Sequence, residues 1–255
     1  MDVQQVAEDL GCHVYGVVRA TAKSVGEGLA GLDGAPTRLV VHGAVAAVVS
    51  DVQLDRPPGR RADLMAYSAV LDTLATAGPV VPVQFGSILE DEQDVVEQLL
   101  RPDGGHFEAL LDELEGRSQF QLRATYQSAV VLPEVVAADH RIARLRELTR
   151  DRPEEEVYGE LVRLGELVSR AIEAKREVDS GMLLDAILPF VAAHRARLGS
   201  GVDELVEIAV LVDVEVQQRF EQQLEALAEA VHERIRLRLV GPLPPYDFVG
   251  GDGWA

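Results

Sequence analysis

Apolar and polar positions follow two different periods along the first half of the chain. Residues 13–19 (HVYGVVR) and 37–52 are apolar runs rich in β-branched side chains, and His42-Gly43 interrupts the second run. These runs predict a strand followed by a β-hairpin. Between residues 64 and 74, leucine or tyrosine recurs every three or four positions, which predicts a helix. The glycine-rich stretch at 26–34 predicts a mobile connector between the strand and the hairpin.

The segment VVPVQFGSIL at residues 80–89 is the most apolar short stretch of this half. It predicts a buried strand whose odd and even side chains face opposite sides. Pro82 lacks a backbone N–H, so we expect that strand at a sheet edge. The acids Glu90–Asp94 indicate a helix start directly after Gly86-Ser87. Because backbone N–H groups at a helix N-terminus can bind an anion, an anion site at Gly86-Ser87 is the alternative to a structural role. We expect that helix to break at residues 101–105 (RPDGG).

The second half contains a long helical stretch between strands. Residues 118–127 alternate between polar and apolar side chains, which predicts a half-buried strand. Apolar residues over 157–172 then keep helical spacing while the other faces are charged, which favours a helical hairpin or a short coiled coil. We expect a further helix over 183–198, bent at Pro189. A strand, a helix and a strand are predicted at 204–216, 220–231 and 235–239.

This order of elements determines the predicted fold class. A strand, a long helical insert, a strand, a helix and a strand are close to a ferredoxin-like plan with one crossover enlarged by extra helices. We therefore predict an α+β protein of two domains. Residues 1–117 are expected to form an N-terminal α+β domain. Residues 118–255 are expected to form a C-terminal ferredoxin-like domain with an inserted helical hairpin or bundle at about 138–199 and a proline-rich tail.

The charge balance excludes some functions. The chain has 43 acidic and 24 basic residues, a net charge of −19. Nucleic-acid binding depends on lysine and arginine at the phosphates, so we expect no nucleic-acid partner. No apolar run of about 18 residues occurs and the first residues are acidic, which argues against a membrane span and a secretory signal. With one cysteine, Cys12, the composition indicates a cytoplasmic protein without an intrachain disulfide.

No residues have the spacing of a catalytic or metal site. The six histidines lack HxH or HExxH spacing. Cys12 and His13 are adjacent, but neighbours in a strand face opposite sides, so we interpret Cys12 as an incidental thiol near a frayed N-terminus. Asp139 is expected to cap the helix that follows it, and the acids Glu154–Glu156 are expected at another helix start. The sequence therefore predicts no catalytic, cofactor-binding or metal residue.

Several strings occur in an order typical of one family. They are YGVV at 15–18, LVVHGAVAAVVSDV at 39–52, VVPVQFGSIL at 80–89, FQLRATY at 120–126, VLPEVVAADHRIARLRE at 131–147 and RLRLVGPLPPYDFV at 236–249. Together they resemble the gas vesicle protein F/L family over residues 13–249. The PVQFG and GPLPPYDF strings are the most specific. Gln84 departs from the family pattern, which often has a basic residue there.

The resemblance implies a non-enzymatic protein without cofactors. Members of the family are cytoplasmic accessory or minor structural proteins of gas vesicle assembly. They are thought to contact the small hydrophobic shell protein and other accessory proteins. The family is described as having two α+β domains, one of them ferredoxin-like with extra helices. The alternative is a ferredoxin-like regulatory protein that senses a small molecule. For the GPLPPYDFV tail, packing on its own chain is favoured over docking to a partner.

Overall fold

Residues 10–22, 26–56, 58–201 and 203–250 are described by the computed structural model of the chain. The chain divides into two compact units. The first contains the residues up to Gln119 together with the segment from Pro242 onwards, and the second extends from Phe120 to Gly241. The tail thus belongs to the first unit, whereas the sequence analysis assigned it to the C-terminal domain. The physical reason is burial, because Pro244 and Pro245 pack there out of solvent.

The first unit is built on one antiparallel sheet. Its central strand, β1, pairs with β3, β4 and β5, and the main path of the sheet is β2-β3-β1-β4. The predicted strand, β-hairpin and first helix are confirmed. In chain order the elements are β1 (Leu10–Arg19), β2 (Arg38–His42), β3 (Val45–Gln53), α1 (Arg61–Ala77), β4 (Val81–Pro82), β5 (Ile88–Leu89), α2 (Glu92–Asp94), a π-helical segment (Val95–Leu100) and α3 (Arg101–Leu114).

Two parts of this unit differ from the prediction. Only Val81–Pro82 and Ile88–Leu89 of the segment 80–89 form strands beside β1, and a turn with Gly86 at φ 88° separates them. Pro82 does lie in the edge strand, as predicted. The helix expected to break at 101–105 instead continues, because the π-helical segment leads into α3 with Pro102 in its first turn, a position that proline tolerates.

The second unit contains a four-stranded sheet in the order β7-β8-β6-β9. Its buried side chains come from alternate positions of β6 and β8 and from the helices on the same side of the sheet. The helical insertion occupies Ser128 to Ile187 rather than about 138–199. The elements are β6 (Arg117–Tyr126), α4 (Ser128–Ala138), α5 (His140–Thr149), α6 (Glu154–Ile187), β7 (Ala193–Leu198), β8 (Glu204–Asp213), α7 (Gln217–Val231) and β9 (Ile235–Leu243); α8 (Tyr246–Val249) follows in the first unit.

The prediction of a helix over 183–198 is wrong in its second half. α6 ends at Ile187, a 3₁₀ turn covers Leu188–Phe190, and Ala193–Leu198 forms β7. Pro189 cannot donate a backbone hydrogen bond and therefore ends the helical path. The following residues pair with β8 along their whole length, so a long-range ladder determines their conformation.

A charged network joins the insertion to the sheet of the second unit. Glu134 of α4 accepts a hydrogen bond from Arg234 Nε at 3.0 Å and lies 3.1 Å from Lys175 Nζ of α6. The buried Asp179 of α6 accepts from the Tyr126 hydroxyl at 2.9 Å and from Arg234 Nη2 at 3.3 Å. Because these residues come from α4, α6, β6 and the turn before β9, the network fixes the insertion against the sheet.

The helix starts predicted from acidic residues are confirmed. Asp139 Oδ1 accepts from the backbone N–H of Arg141 at 2.8 Å, and the Arg141 side chain lowers the pKa of Asp139 to about 2. Asp91 caps α2 in the same way by accepting from Asp94 N at 2.8 Å. The acids Glu154–Glu156 form the first turn of α6. Each carboxylate therefore has a structural role at a helix N-terminus.

Candidate functional site

The segment 80–89 folds around a buried histidine of β1. His13 has no solvent exposure, and its ring centroid lies 4.7 Å from that of Tyr15 and 6.0 Å from those of Tyr67 and Phe85. His13 and Tyr15 share one face of β1 because side chains two apart in a strand point the same way. α1 supplies Tyr67 and the turn after β4 supplies Phe85. The sheet, a helix and a loop thus meet at one aromatic cluster.

His13 is held in its neutral form. The backbone N–H of Gly86 donates to His13 Nε2 at 3.3 Å, so Nδ1 carries the hydrogen in the neutral ring. Within the described part of the chain, Nδ1 has no hydrogen-bond partner. Burial lowers the pKa of His13 to about 4, against the smaller opposing effect of the Asp63 charge. A neutral, aromatic-packed imidazole is a structural group, and it is poorly suited to proton transfer at neutral pH.

Tyr15 anchors the glycine-rich loop to the sheet. Its hydroxyl is 2.8 Å from Ser50 Oγ and accepts a hydrogen bond from Leu32 N at 2.8 Å. Leu32 is buried in the same core cluster. Gly31 approaches so closely that a Cβ there would lie 2.3 Å from the Tyr15 hydroxyl. The described part of this loop, predicted to be a mobile connector, is therefore fixed by a buried contact.

Tyr67 connects the segment 80–89 to the C-terminal tail. Its hydroxyl donates to the carbonyl of Val83 at 2.5 Å and also forms a hydrogen bond with Tyr246 of α8. Burial raises the pKa of Tyr67 above its usual range, and burial raises the pKa of Tyr246 to about 12. Both phenols are therefore protonated at neutral pH and serve as hydrogen-bonding groups.

An apolar cleft opens beside this pair of tyrosines. It has a volume of about 490 Å³ and is lined by α1, the turn after β4 and the tail: Leu64, Tyr67, Ser68, Pro82, Val83, Gln84, Phe85, Tyr246, Val249 and Gly250. The spacing of α1 predicts Leu64 on its buried face, yet the side chain is exposed at the cleft. The lining contains no charged side chain. The cleft is suited to an apolar ligand or protein segment.

The tail is fixed in place by polar contacts as well as by packing. Gln119, a buried residue, donates from Nε2 to Asp247 Oδ2 at 2.5 Å and accepts from Asp247 N at 3.1 Å. Pro244, Pro245 and Val249 are buried. The prediction that the tail packs on its own chain is confirmed.

The remaining candidates from the sequence do not form a catalytic site. Cys12 is buried within β1 instead of lying near a frayed end; Arg38 donates to its Sγ at 3.4 Å, and burial raises its pKa. The possible anion site at Gly86-Ser87 has both N–H groups already committed, to His13 Nε2 and to the carbonyl of Gln84. Among the described residues, no cluster of three histidine, cysteine or acidic side chains is arranged to hold a metal ion.

Sequence reasoning did not identify the cleft, although it singled out both strings that build it. Pro82 to Gly86 and Gly241 to Phe248 are the two most specific strings of the family resemblance. The structure brings residues of both to one place in the first unit. The distance along the sequence between the two strings leaves no periodic signal of their contact, so the sequence did not predict that they lie together.

Comparison with known proteins decides the family. The family model described as gas vesicle synthesis protein GvpL/GvpF matches residues 11–250. The chain belongs to the GvpL/GvpF family. Membership supports an accessory role in gas vesicles and confirms the resemblance drawn from the PVQFG and GPLPPYDF strings.

Relatives and solved structures agree with this assignment. Gas vesicle protein F of Streptomyces sp. (strain CB03234) is 32% identical over 93% of this chain and 98% of its own length. Gas vesicle protein L1 of Halobacterium salinarum is 28% identical, covering 93% and 90% of the two chains. The crystal structure of GvpF from Anabaena sp. PCC7120 superposes with a TM-score of 0.81 at 21% identity, covering 94% and 98%.

The predicted α+β class is confirmed, and the fold is similar to that of solved GvpF structures. The crystal structure of GvpF from Microcystis aeruginosa gives a TM-score of 0.76 at 19% identity, over 94% of this chain and 99% of that one. No helix in the part of the chain that the structure describes is long and apolar enough to span a membrane.

Proposed function

We propose that this protein is a non-enzymatic accessory or minor structural protein of gas vesicle assembly. It acts in the cytoplasm in association with the vesicle, binds the hydrophobic shell protein and other accessory proteins, and supports nucleation or growth of the vesicle. Membership of the GvpL/GvpF family supports the gas vesicle role. The observation that carries the binding step is the uncharged apolar cleft beside Tyr67 and Tyr246.

The cleft offers a shell subunit a place to bury apolar surface before assembly. Burial of apolar area contributes roughly 25 cal/mol per Å². The whole chain carries a net charge of −19, and this charge opposes co-aggregation of a carrier with its apolar client. Apolar recognition in the cleft and solubility from the charged surface are thus compatible in one protein.

Two adjacent residues of α1 allow a matched test. Leu64 lines the cleft and is 48% exposed, whereas Met65 is 61% exposed and is not a lining residue. We expect the tagged wild-type chain, co-expressed with the shell protein, to recover it on affinity resin. Leu64→Asp should reduce that recovery at least about tenfold, because a carboxylate disfavours apolar burial. Met65→Asp should leave it unchanged.

Two results would contradict this function. A wild-type chain that recovers other accessory proteins but no shell protein would exclude the proposed binding step. A large increase in melting temperature with a nucleotide or an amino acid, in a screen of both classes, would favour the small-molecule-sensing alternative instead.

We also infer that the second unit is a ferredoxin-like domain whose first crossover is enlarged by α4, α5 and α6. Its chain order is strand, helices, strand, strand, helix, strand, and its sheet order β7-β8-β6-β9 has the first and third strands in the centre. Both features support the inference. An experimental structure with β9 paired beside β8 instead of β6 would contradict it.

A further inference from the structure

The outer strand of the second unit carries positive charge on an acidic protein. β7 reads AHRARL and lies at the edge of the sheet, beside β8. Arg197 is opposite Glu207 and Arg195 is opposite Ala209 in the antiparallel ladder. Ile208, the next residue of β8, packs in the core, so Glu207 and both arginines lie on the sheet face away from it. This face is exposed at β7.

The basic character continues across the sheet. Glu207 accepts hydrogen bonds from both Arg197 and Arg123 of β6, so a single carboxylate is shared by two guanidinium groups. The Arg197 side chain is still 82% exposed. Arg236 and Arg238 of β9 lie on the same face, because the leucines that alternate with them pack against the core. Asp213 at the end of β8 is a second carboxylate on this face, so five arginines face two carboxylates there and the positive charge is in excess. An acidic partner can complement this excess.

The backbone of β7 is available along its outer edge. Gly199 N donates to Leu205 O at 3.0 Å, and hydrogen-bonded pairs alternate along an antiparallel ladder. The odd-numbered residues of β7 are therefore the ones whose backbone groups bond to β8. The N–H and C=O groups of His194, Ala196 and Leu198 consequently point away from the sheet. Within the described residues, β8 is the strand that pairs with β7, and no backbone hydrogen bond from a turn or loop reaches these groups. Leu198 is also 49% exposed, which leaves an apolar side chain at the same edge.

We propose that an extended segment of another protein, with acidic side chains at every second position and apolar side chains between them, adds to β7 as a fifth strand. Its backbone would pair with the outer groups of residues 194, 196 and 198. Its carboxylates would meet Arg195 and Arg197, and its apolar side chains would extend the core past Leu198. Single-stranded nucleic acid fits less well, since β7 offers no phenylalanine, tyrosine or tryptophan side chain for base stacking.

This inference adds a second binding surface to the proposed accessory function, and it rests on that function only for the expectation that the partner is a protein. The probe is a fluorescein-labelled, end-capped (Glu-Val)4 peptide, and binding to the full chain is measured by fluorescence anisotropy. We expect binding of this peptide and none of (Lys-Val)4. Arg195→Glu combined with Arg197→Glu should weaken binding at least about tenfold. The same charge change at two exposed positions of α6, Arg163→Glu with Arg170→Glu, should have little effect.

Backbone pairing is tested on the peptide, so the test holds even if a protein variant does not fold. Two further peptides are N-methylated at every second residue, one in each phase. Strand addition uses only one set of alternate N–H groups, so we expect one phase to lose binding and the other to retain it. Equal binding of both phases, or equal loss in the α6 control, would overturn the proposal. So would tighter binding of a single-stranded oligothymidine. None of these outcomes bears on recovery of the shell protein through the cleft.

Discussion

Gln119 holds Asp247 through two hydrogen bonds across 128 residues of sequence. The Gln119 side-chain amide donates to the Asp247 carboxylate at 2.5 Å and accepts from its backbone N–H at 3.1 Å. Because Gln119 is buried, both ends of its amide need these partners. The pair fixes the first turn of α8, and with it the position of Tyr246 at the cleft.

Replacing this amide should therefore loosen the tail. Gln119→Leu keeps the size of the side chain but removes both bonds, and we expect a loss of about 1–3 kcal/mol in the free energy of unfolding. Limited proteolysis should also cleave the tail faster. Gln121→Leu, in the same strand and less buried, is the control. If urea unfolding showed the same loss for both substitutions, the hydrogen bonds to Asp247 would not be the cause of the destabilisation.

The buried histidine should make stability depend on pH. The pKa of His13 falls from 6.5 to about 4 on folding, so the unfolded chain binds more protons between these values. Burial of neutral His13 therefore costs no stability above pH 6.5. As the pH falls from 6.5 towards 4, the free energy of unfolding should decrease by up to about 3 kcal/mol. His13→Gln should flatten this part of the stability–pH curve, measured by urea unfolding at several pH values.

An exposed histidine provides the control for that measurement. His106→Gln removes an exposed imidazole from the surface of α3 and should leave the stability–pH curve like that of the wild type. If His13→Gln retained the wild-type slope, His13 would not be the source of the acid sensitivity.

The contact between Gly31 and Tyr15 should not tolerate a side chain. The Cβ of Gly31→Ala would lie 2.3 Å from the Tyr15 hydroxyl and 2.9 Å from Ser50 Oγ, inside the normal contact distance. We expect a loss of about 1–3 kcal/mol, since a buried hydroxyl pair must move. Gly59→Ala, where the added Cβ meets no atom within 4 Å, should change the melting temperature little. Similar losses for both variants would argue against the steric explanation.

The charged network of the second unit should depend on Asp179. Asp179→Ala removes the acceptor of the Tyr126 hydroxyl and one carboxylate partner of Arg234. We expect the free energy of unfolding to fall by about 2 kcal/mol. The loss is no larger because Arg234 is partly exposed and retains its ion pair with Glu134. Asp185→Ala, at an exposed position of the same helix, should lie within about 0.5 kcal/mol of the wild type in chemical denaturation. A comparable cost at Asp185 would contradict the role of the network.

Local pattern was sufficient for elements whose conformation depends on neighbouring residues. The β-hairpin at His42-Gly43, the cap at Asp139 and the edge position of Pro82 were all predicted correctly, because turn geometry, capping and a missing N–H act within a few residues. The prediction was wrong for Ala193–Leu198, where the apolar pattern is short and pairing with β8 selects the strand.

The sequence by itself determined the family, the α+β class and the acidic character, since strings, periodicity and charge are properties of the linear chain. Only the tertiary structure decided that Tyr246 of the tail lies beside Tyr67, that His13 is buried among aromatic rings, and that β7 presents an open basic edge. These features depend on contacts between distant residues. Their free energy comes from burial and long-range hydrogen bonding, which no local pattern records.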